Sequence, residues 1–256
     1  MRRDFISSDY PVHIMRRGAR GLPFARDKSD KWRSLQGLFF LNDISSKNNW
    51  MREIEEERIK QKQDVDTRCQ HQKNCGFFGW PSSWPERKPL VSIWAFAFSG
   101  NHDHLIVQEE EEGGISKFMH KWNMSTAKHF NEKYQEKGAV FQGPYVCKTI
   151  DLDEYLEWVV PYVMIKNTFE VHPRGFDWAV KNFNKAWGWA IEYPFSSIGD
   201  YAGKRNSPIV DFSRLKEIIG GPLKFKKLCY DMIIARQEII GSKTKIKKIN
   251  YFSHEK

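Results

Sequence analysis

The stretch from Leu90 to Val107, "LVSIWAFAFSGNHDHLIV", constrains this chain most. An apolar, β-branched and aromatic run (90–98) meets the turn residues Ser99, Gly100 and Asn101, and a second run, "HDHLIV", follows at 102–107. That order predicts a β-hairpin. Side chains alternate along a strand, so His102 and His104 share one face and Asp103 takes the other. Two imidazoles one residue apart can reach a common cation, or can simply be hydrogen-bonded polar residues. As ligands they are incomplete, and a third oxygen or nitrogen from a neighbouring helix is needed.

The flanking sequence supplies elements to build around the hairpin. "YPVHIMRRGARG" (10–21) reads as a strand running into a loop, and "YVCKTI" (145–150) as another short strand. A helix is predicted within 31–60, where "MREIEEERIKQKQ" is charged and solvent-facing. Ile115, Phe118, Met119 and Trp122 recur at helical spacing. Lys117, Lys121 and Lys128 fall off that stripe. Acidic residues at Asp151 to Glu154 open a second helix, "DEYLEWVVPYVMIKN". Tyr155 and Tyr162 lie two turns apart on one of its faces, and Ile165, Lys166 and Asn167 follow within five residues of Tyr162. Pro161 removes a helical hydrogen bond just before Tyr162. A phenol is a plausible covalent nucleophile once a base or a cation assists it, and equally a boundary residue of an amphipathic helix.

Composition bounds the class. The 256 residues include 40% apolar residues, enough to bury a sizeable core, and 29% charged residues, which excludes a low-complexity chain. No apolar run approaches the roughly 20 residues of a spanning helix, and "MRRDFISSDYPV" lacks the apolar centre of a secretory signal. Four scattered cysteines do not make a disulfide framework, so a reducing, cytoplasmic setting is expected. The net charge of +9 is uneven. Residues 204–256 hold thirteen Lys/Arg against five Asp/Glu, a surplus of eight that leaves 1–203 with a surplus of one. A basic segment of this kind attracts phosphate, nucleic acid above all, and is also found as a plain solvated tail. Cys69, His71 and Cys75 in "CQHQKNC" resemble half of a zinc site, but no second pair follows. Glu109 to Glu112 read as a solvated loop.

Taken in order, "YPVHIMRRGARGLPF", "SIWAFAFSGNHDHLIV", "ISKFMHKWN", "GAVFQGPY", "DLDEYLEWVVPYVMIKN" and "EYPFSSIGDYAG" resemble the REP-associated tyrosine transposases of the single-tyrosine HUH endonuclease superfamily, over most of 10–203. The resemblance implies an α+β fold, a ferredoxin- or RRM-like central antiparallel sheet with packed helices. With the composition, this divides the chain into a domain at 1–203 with an irregular insertion at about 43–89, and a basic helical extension at 204–256. It implies a DNA transposase: a single-stranded DNA endonuclease and strand-transferase that acts on hairpin-forming DNA through a 5′-phosphotyrosine. On that reading Tyr162 is the nucleophile, and His102 and His104, with Asn167 as a further candidate, bind Mg²⁺ or Mn²⁺. No nucleotide cofactor is called for. Arg16, Arg17, Lys117, Lys121, Gln142, Tyr145, Lys166, Lys224, Lys226 and Lys227 are the candidate DNA contacts. A cytoplasmic, nucleoid-associated protein acting as a monomer or homodimer, off the membrane, would follow. Two departures stand out, Asp103 between the histidines and Lys166 four residues past the tyrosine, where the family supplies a ligand oxygen. They keep open a catalytically weakened or domesticated hairpin DNA- or RNA-binding protein of the same fold, and a zinc hydrolase built on the His pair is a third reading.

Overall fold

Apolar side chains on both faces of two neighbouring strands set the architecture. In the computed structural model, which describes residues 10–47, 49–64 and 78–241 (side chains of 60–64 and 236–241 excepted), the hairpin consists of β2, Val91–Phe98, and β3, His102–Glu109. Gly100 turns the chain at φ +105°, a conformation that suits glycine. The Ser99 hydroxyl closes the turn by donating to the His102 carbonyl oxygen, 2.6 Å. A bulge between Ile93 and Ala95 inserts Trp94 into β2 and shifts its alternation.

Two further strands complete the sheet. β1, Val12–Arg17, pairs with the free edge of β3, and β4, Val146–Thr149, pairs with β1. All pairings are antiparallel and the order is β2-β3-β1-β4. α1, Lys28–Phe40, and α2, Trp50–Asp64, connect β1 to β2, and α3, Gly114–Tyr134, connects β3 to β4. This is the split βαβ arrangement of a ferredoxin-like α+β fold. α1 begins with a capping box, in which the Asp27 side chain accepts from the Asp30 N–H and the Asp30 carboxylate reaches back to the Asp27 N–H.

Helices cover both faces of the sheet. On the first face, Val12, Ile14, Phe96, Leu105 and Val107 pack against Leu38, Phe40, Phe118 and Trp122 of α1 and α3. On the second, Trp94, Ala97 and Ile106 meet a long helical run. That run comprises α4, Asp153–Pro161, a π-helical turn at Tyr162–Lys166, and α5, Asn167–Glu170. Then come α6, Phe176–Lys181, α7, Phe183–Ala190, α8, Ile198–Tyr201, α9, Ser213–Ile218, and α10, Pro222–Gly241.

The basic segment expected at 204–256 is, up to Gly241, part of the main body. Leu215, Ile219, Phe225, Cys229 and Ile233 are buried in the same apolar cluster as Val159 and Tyr162. Cys69, His71 and Cys75 lie outside the described residues, as do 242–256. Among the described residues no helix is long and apolar enough to cross a membrane.

Candidate active site

β1 and β3 present alternate residues to the second face, which sets His13 of β1 beside His102 and His104 of β3. His13 Nε2 lies 2.9 Å from His104 Nδ1, and the two rings stack with centroids 5.2 Å apart. His102 stands edge-on to His104 at 5.2 Å, and its Nδ1 is 2.8 Å from Asn101 Oδ1. Burial holds both inner imidazoles neutral. It pulls His13 down to about 4, with help from Lys148. It takes His104 well below its ordinary value, with His13, His102 and Lys166 adding repulsion. His104 Nε2 is buried with no hydrogen-bond partner among the described residues.

Asp103, on the opposite face, has found its partner. Arg16 Nε and Nη2 donate to Asp103 Oδ2 at 2.9 and 2.7 Å. Ser34, Asn123 and Thr126 take the remaining donors of the guanidinium, which lies 3.2 Å from the centre of a Trp122 ring. Burial pushes the Asp103 carboxyl up, and Arg16 offsets only part of that. Because Arg16 and Asp103 are also register partners, the pair pins β1 to β3 at the point where the histidines emerge.

The helical run brings in the phenol. Pro161 has no N–H to bond backward, and the next turn widens, so that the Asn167 N–H reaches five residues back to the Tyr162 carbonyl oxygen. Across this π turn, Tyr162 and Lys166 stay side by side, with Lys166 Nζ donating to Tyr162 Oη at 3.3 Å. The Tyr162 ring lies edge-on to His104 and His13, at 5.7 and 6.3 Å between centroids, and Trp158 stacks on it at 5.2 Å. Glu170 closes the group, its carboxylate 2.8 Å from Lys166 Nζ and 3.8 Å from His102 Nε2. Three imidazoles, a phenol, an ammonium and a carboxylate thus converge. The phenol is nevertheless enclosed: Tyr162 is 1% exposed and Lys166 2%, whereas the Glu170 side chain is 33% exposed.

The other expected site residues are more scattered. Arg16 is buried in its ion pair and Tyr145, just before β4, is buried in the apolar cluster of the first face, both away from the surface where DNA contacts were expected. Arg17 is half-buried at the end of β1, and its carbonyl accepts from the N–H of exposed Gln142. Lys117 is exposed, and Lys121 donates to the Asp43 carbonyl and Ser46 hydroxyl. Lys224, Lys226 and Lys227 lie on α10. Asn167 donates to the Tyr162 and Val163 carbonyls of its own helix, and its Oδ1 is buried with no hydrogen-bond partner among the described residues.

These residues do not fit a divalent cation as the resemblance implies it. Among the described residues no three His, Cys, Asp or Glu side chains are grouped to hold a metal ion. The place four residues past the tyrosine carries an ammonium, which repels a cation. Sequence reasoning missed His13 and Glu170. A lone histidine in a strand carries no spacing signal, whereas Glu170 stands four residues beyond Lys166 and eight beyond Tyr162, a helical repeat that was readable.

Residues 86–166, about a third of the chain and containing β2, β3 and Tyr162, match the family described as "Transposase IS200 like". That segment is similar to the IS200-like transposases. A solved structure of a REP-associated tyrosine transposase bound to a REP hairpin is 15% identical, covering 83% of this chain and 94% of its own, with a TM-score of 0.35. No curated protein matches the chain.

Proposed function

We propose that this protein cleaves and rejoins single-stranded DNA with Tyr162 as the nucleophile, acting on hairpin-forming DNA. The observation that carries the reading is the meeting of Tyr162 with His104 and His13, with Tyr162 and His104 both inside the segment that matches an IS200-like transposase family. A structural role alone does not call for two neutral imidazoles edge-on to a buried phenol.

In this reading Tyr162 Oη attacks a phosphodiester phosphorus in line with the 3′-oxygen. The Oη–P bond forms and the P–O3′ bond breaks. The phenolic proton leaves by way of a neutral imidazole and ends on the 3′-oxygen. The phosphotyrosine keeps one phosphodiester bond for another, so a different 3′-OH can reverse the step and join new ends. His13 and His104, neutral at pH 7, are the bases at hand. Lys148, Lys224, Lys226 and Lys227, with the lysines of 243–248, are candidates for sequence-independent phosphate contacts. Tyr162 is enclosed in the arrangement described, so DNA entry requires Glu170 and Trp158 to give way.

The test is a covalent adduct with a labelled hairpin oligonucleotide bearing single-stranded flanks. Adduct with the natural chain and none with Tyr162→Phe is the expected result; equal adduct from both variants defeats the assignment.

A further inference from the structure

The ammonium at Lys166 is the feature that the resemblance does not account for. It is buried, it touches the phenol, and it is neutralised by a carboxylate that is itself partly in water. A buried cation of this kind needs an anion beside it. Glu170 supplies one from the solvent side, and the same carboxylate faces His102 Nε2 at 3.8 Å. The carboxylate therefore occupies an anion position bounded by Lys166, His102 and the Tyr162 hydroxyl. A phosphodiester bound there would have its phosphorus within reach of Tyr162 Oη.

We propose that Lys166 is a built-in cation of the active site, holding the scissile phosphate beside Tyr162 in place of an oxygen ligand to a divalent ion, and that Glu170 is the anion the phosphate displaces. The proposal rests on the DNA-cleaving reading. It accounts for the departure at Lys166: a fixed ammonium takes over the positive charge at the phosphate and, by repulsion, weakens divalent binding. It also assigns the enclosed state a role. With Glu170 seated the phenol is covered; with Glu170 swung outward, the ammonium and the phenol are open to DNA.

The experiment uses the full chain, its Lys166→Gln, Glu170→Gln and Tyr162→Phe variants, and a hairpin oligonucleotide with randomised single-stranded flanks, with EDTA or with Mn²⁺. Mn²⁺ uptake is read separately by electron paramagnetic resonance. The natural chain is expected to form adduct in EDTA and to bind Mn²⁺ at least about tenfold more weakly than Lys166→Gln. Lys166→Gln, which returns an amide oxygen to this place, is expected to lose adduct in EDTA and to regain it with Mn²⁺. Glu170→Gln is expected to bind the oligonucleotide several-fold more tightly, and serves on its own if Lys166→Gln fails to fold. Equal Mn²⁺ affinity in the natural chain and Lys166→Gln overturns the proposal. So does adduct that requires Mn²⁺ in both, or Glu170→Gln binding DNA no better than the natural chain. In those cases the cleavage reading still stands. Absence of any Tyr162-dependent adduct, with or without Mn²⁺, defeats the cleavage reading and the proposal together.

Discussion

Asp103→Ala tests whether the strand pair that presents the histidines depends on its buried ion pair. All five N–H groups of Arg16 are engaged, two of them on Asp103 Oδ2, and both residues are 2% exposed. Removing one partner of such a pair costs about 3–5 kcal/mol, because the other is left charged and dry. Here Ser34, Asn123, Thr126 and the Trp122 ring remain to hold the guanidinium, which argues for the lower end, about 3 kcal/mol. At roughly 2–4 °C per kcal/mol for a chain of this size, the midpoint of thermal unfolding should fall by about 6–12 °C. Thermal melts of the natural chain, Asp103→Ala, Arg16→Met and the double variant Arg16→Met/Asp103→Leu read that shift, and urea unfolding of the same four reads the free-energy loss. The double variant should lie closer to the natural chain than either single one, since nothing charged is then stranded. A loss under about 1 kcal/mol for Asp103→Ala, or a double variant as damaged as the sum of the singles, would refute the reasoning.

Acid should destabilise the fold through its inner histidines. Burial lowers His13 to about 4 and takes His104 well below its ordinary value, so between about pH 6.5 and 4 the unfolded chain takes up protons that the folded one refuses, and stability falls as pH falls. His13 alone accounts for about 3 kcal/mol across that window, and a urea midpoint unchanged from pH 7.5 to 5 would contradict it. Gly114→Ala should cost about 1–3 kcal/mol, because a Cβ there would overlap the Leu90 carbonyl oxygen; a melting curve identical to that of the natural chain would show that the backbone yields freely. Binding of hairpin DNA should weaken steeply as salt rises, in keeping with the net charge of +9, and a flat salt titration by fluorescence anisotropy would remove phosphate contacts from the account.

The sheet was legible because its signals are local. The 90–107 hairpin, the Ile115/Phe118/Met119/Trp122 stripe and the acidic start at Asp151 to Glu154 each depend on residues close in sequence, and β2, β3, α3 and α4 stand there. Residues 204–241 were harder to read because their lysines mask a stripe at Phe225, Cys229, Met232 and Ile233, which buries in the core. Periodicity could show that Tyr162 shares a face with Lys166, but not that the face points inward. Its burial depends on α10 and the α6–α7 helices covering the second face, a long-range arrangement that no spacing encodes. His13 joined the site by strand pairing alone. Asp103 appeared anomalous until Arg16, eighty-seven residues away, was placed across from it.

The most direct measurement is the mass of the tryptic peptide carrying Tyr162 after the full chain has been incubated with hairpin DNA and digested with nuclease. The account predicts a nucleotide phosphate on the Tyr162 oxygen, absent from Tyr162→Phe and depleted in His104→Ala. An unmodified Tyr162 peptide, recovered quantitatively while the oligonucleotide is cut, would place the chemistry elsewhere in the molecule.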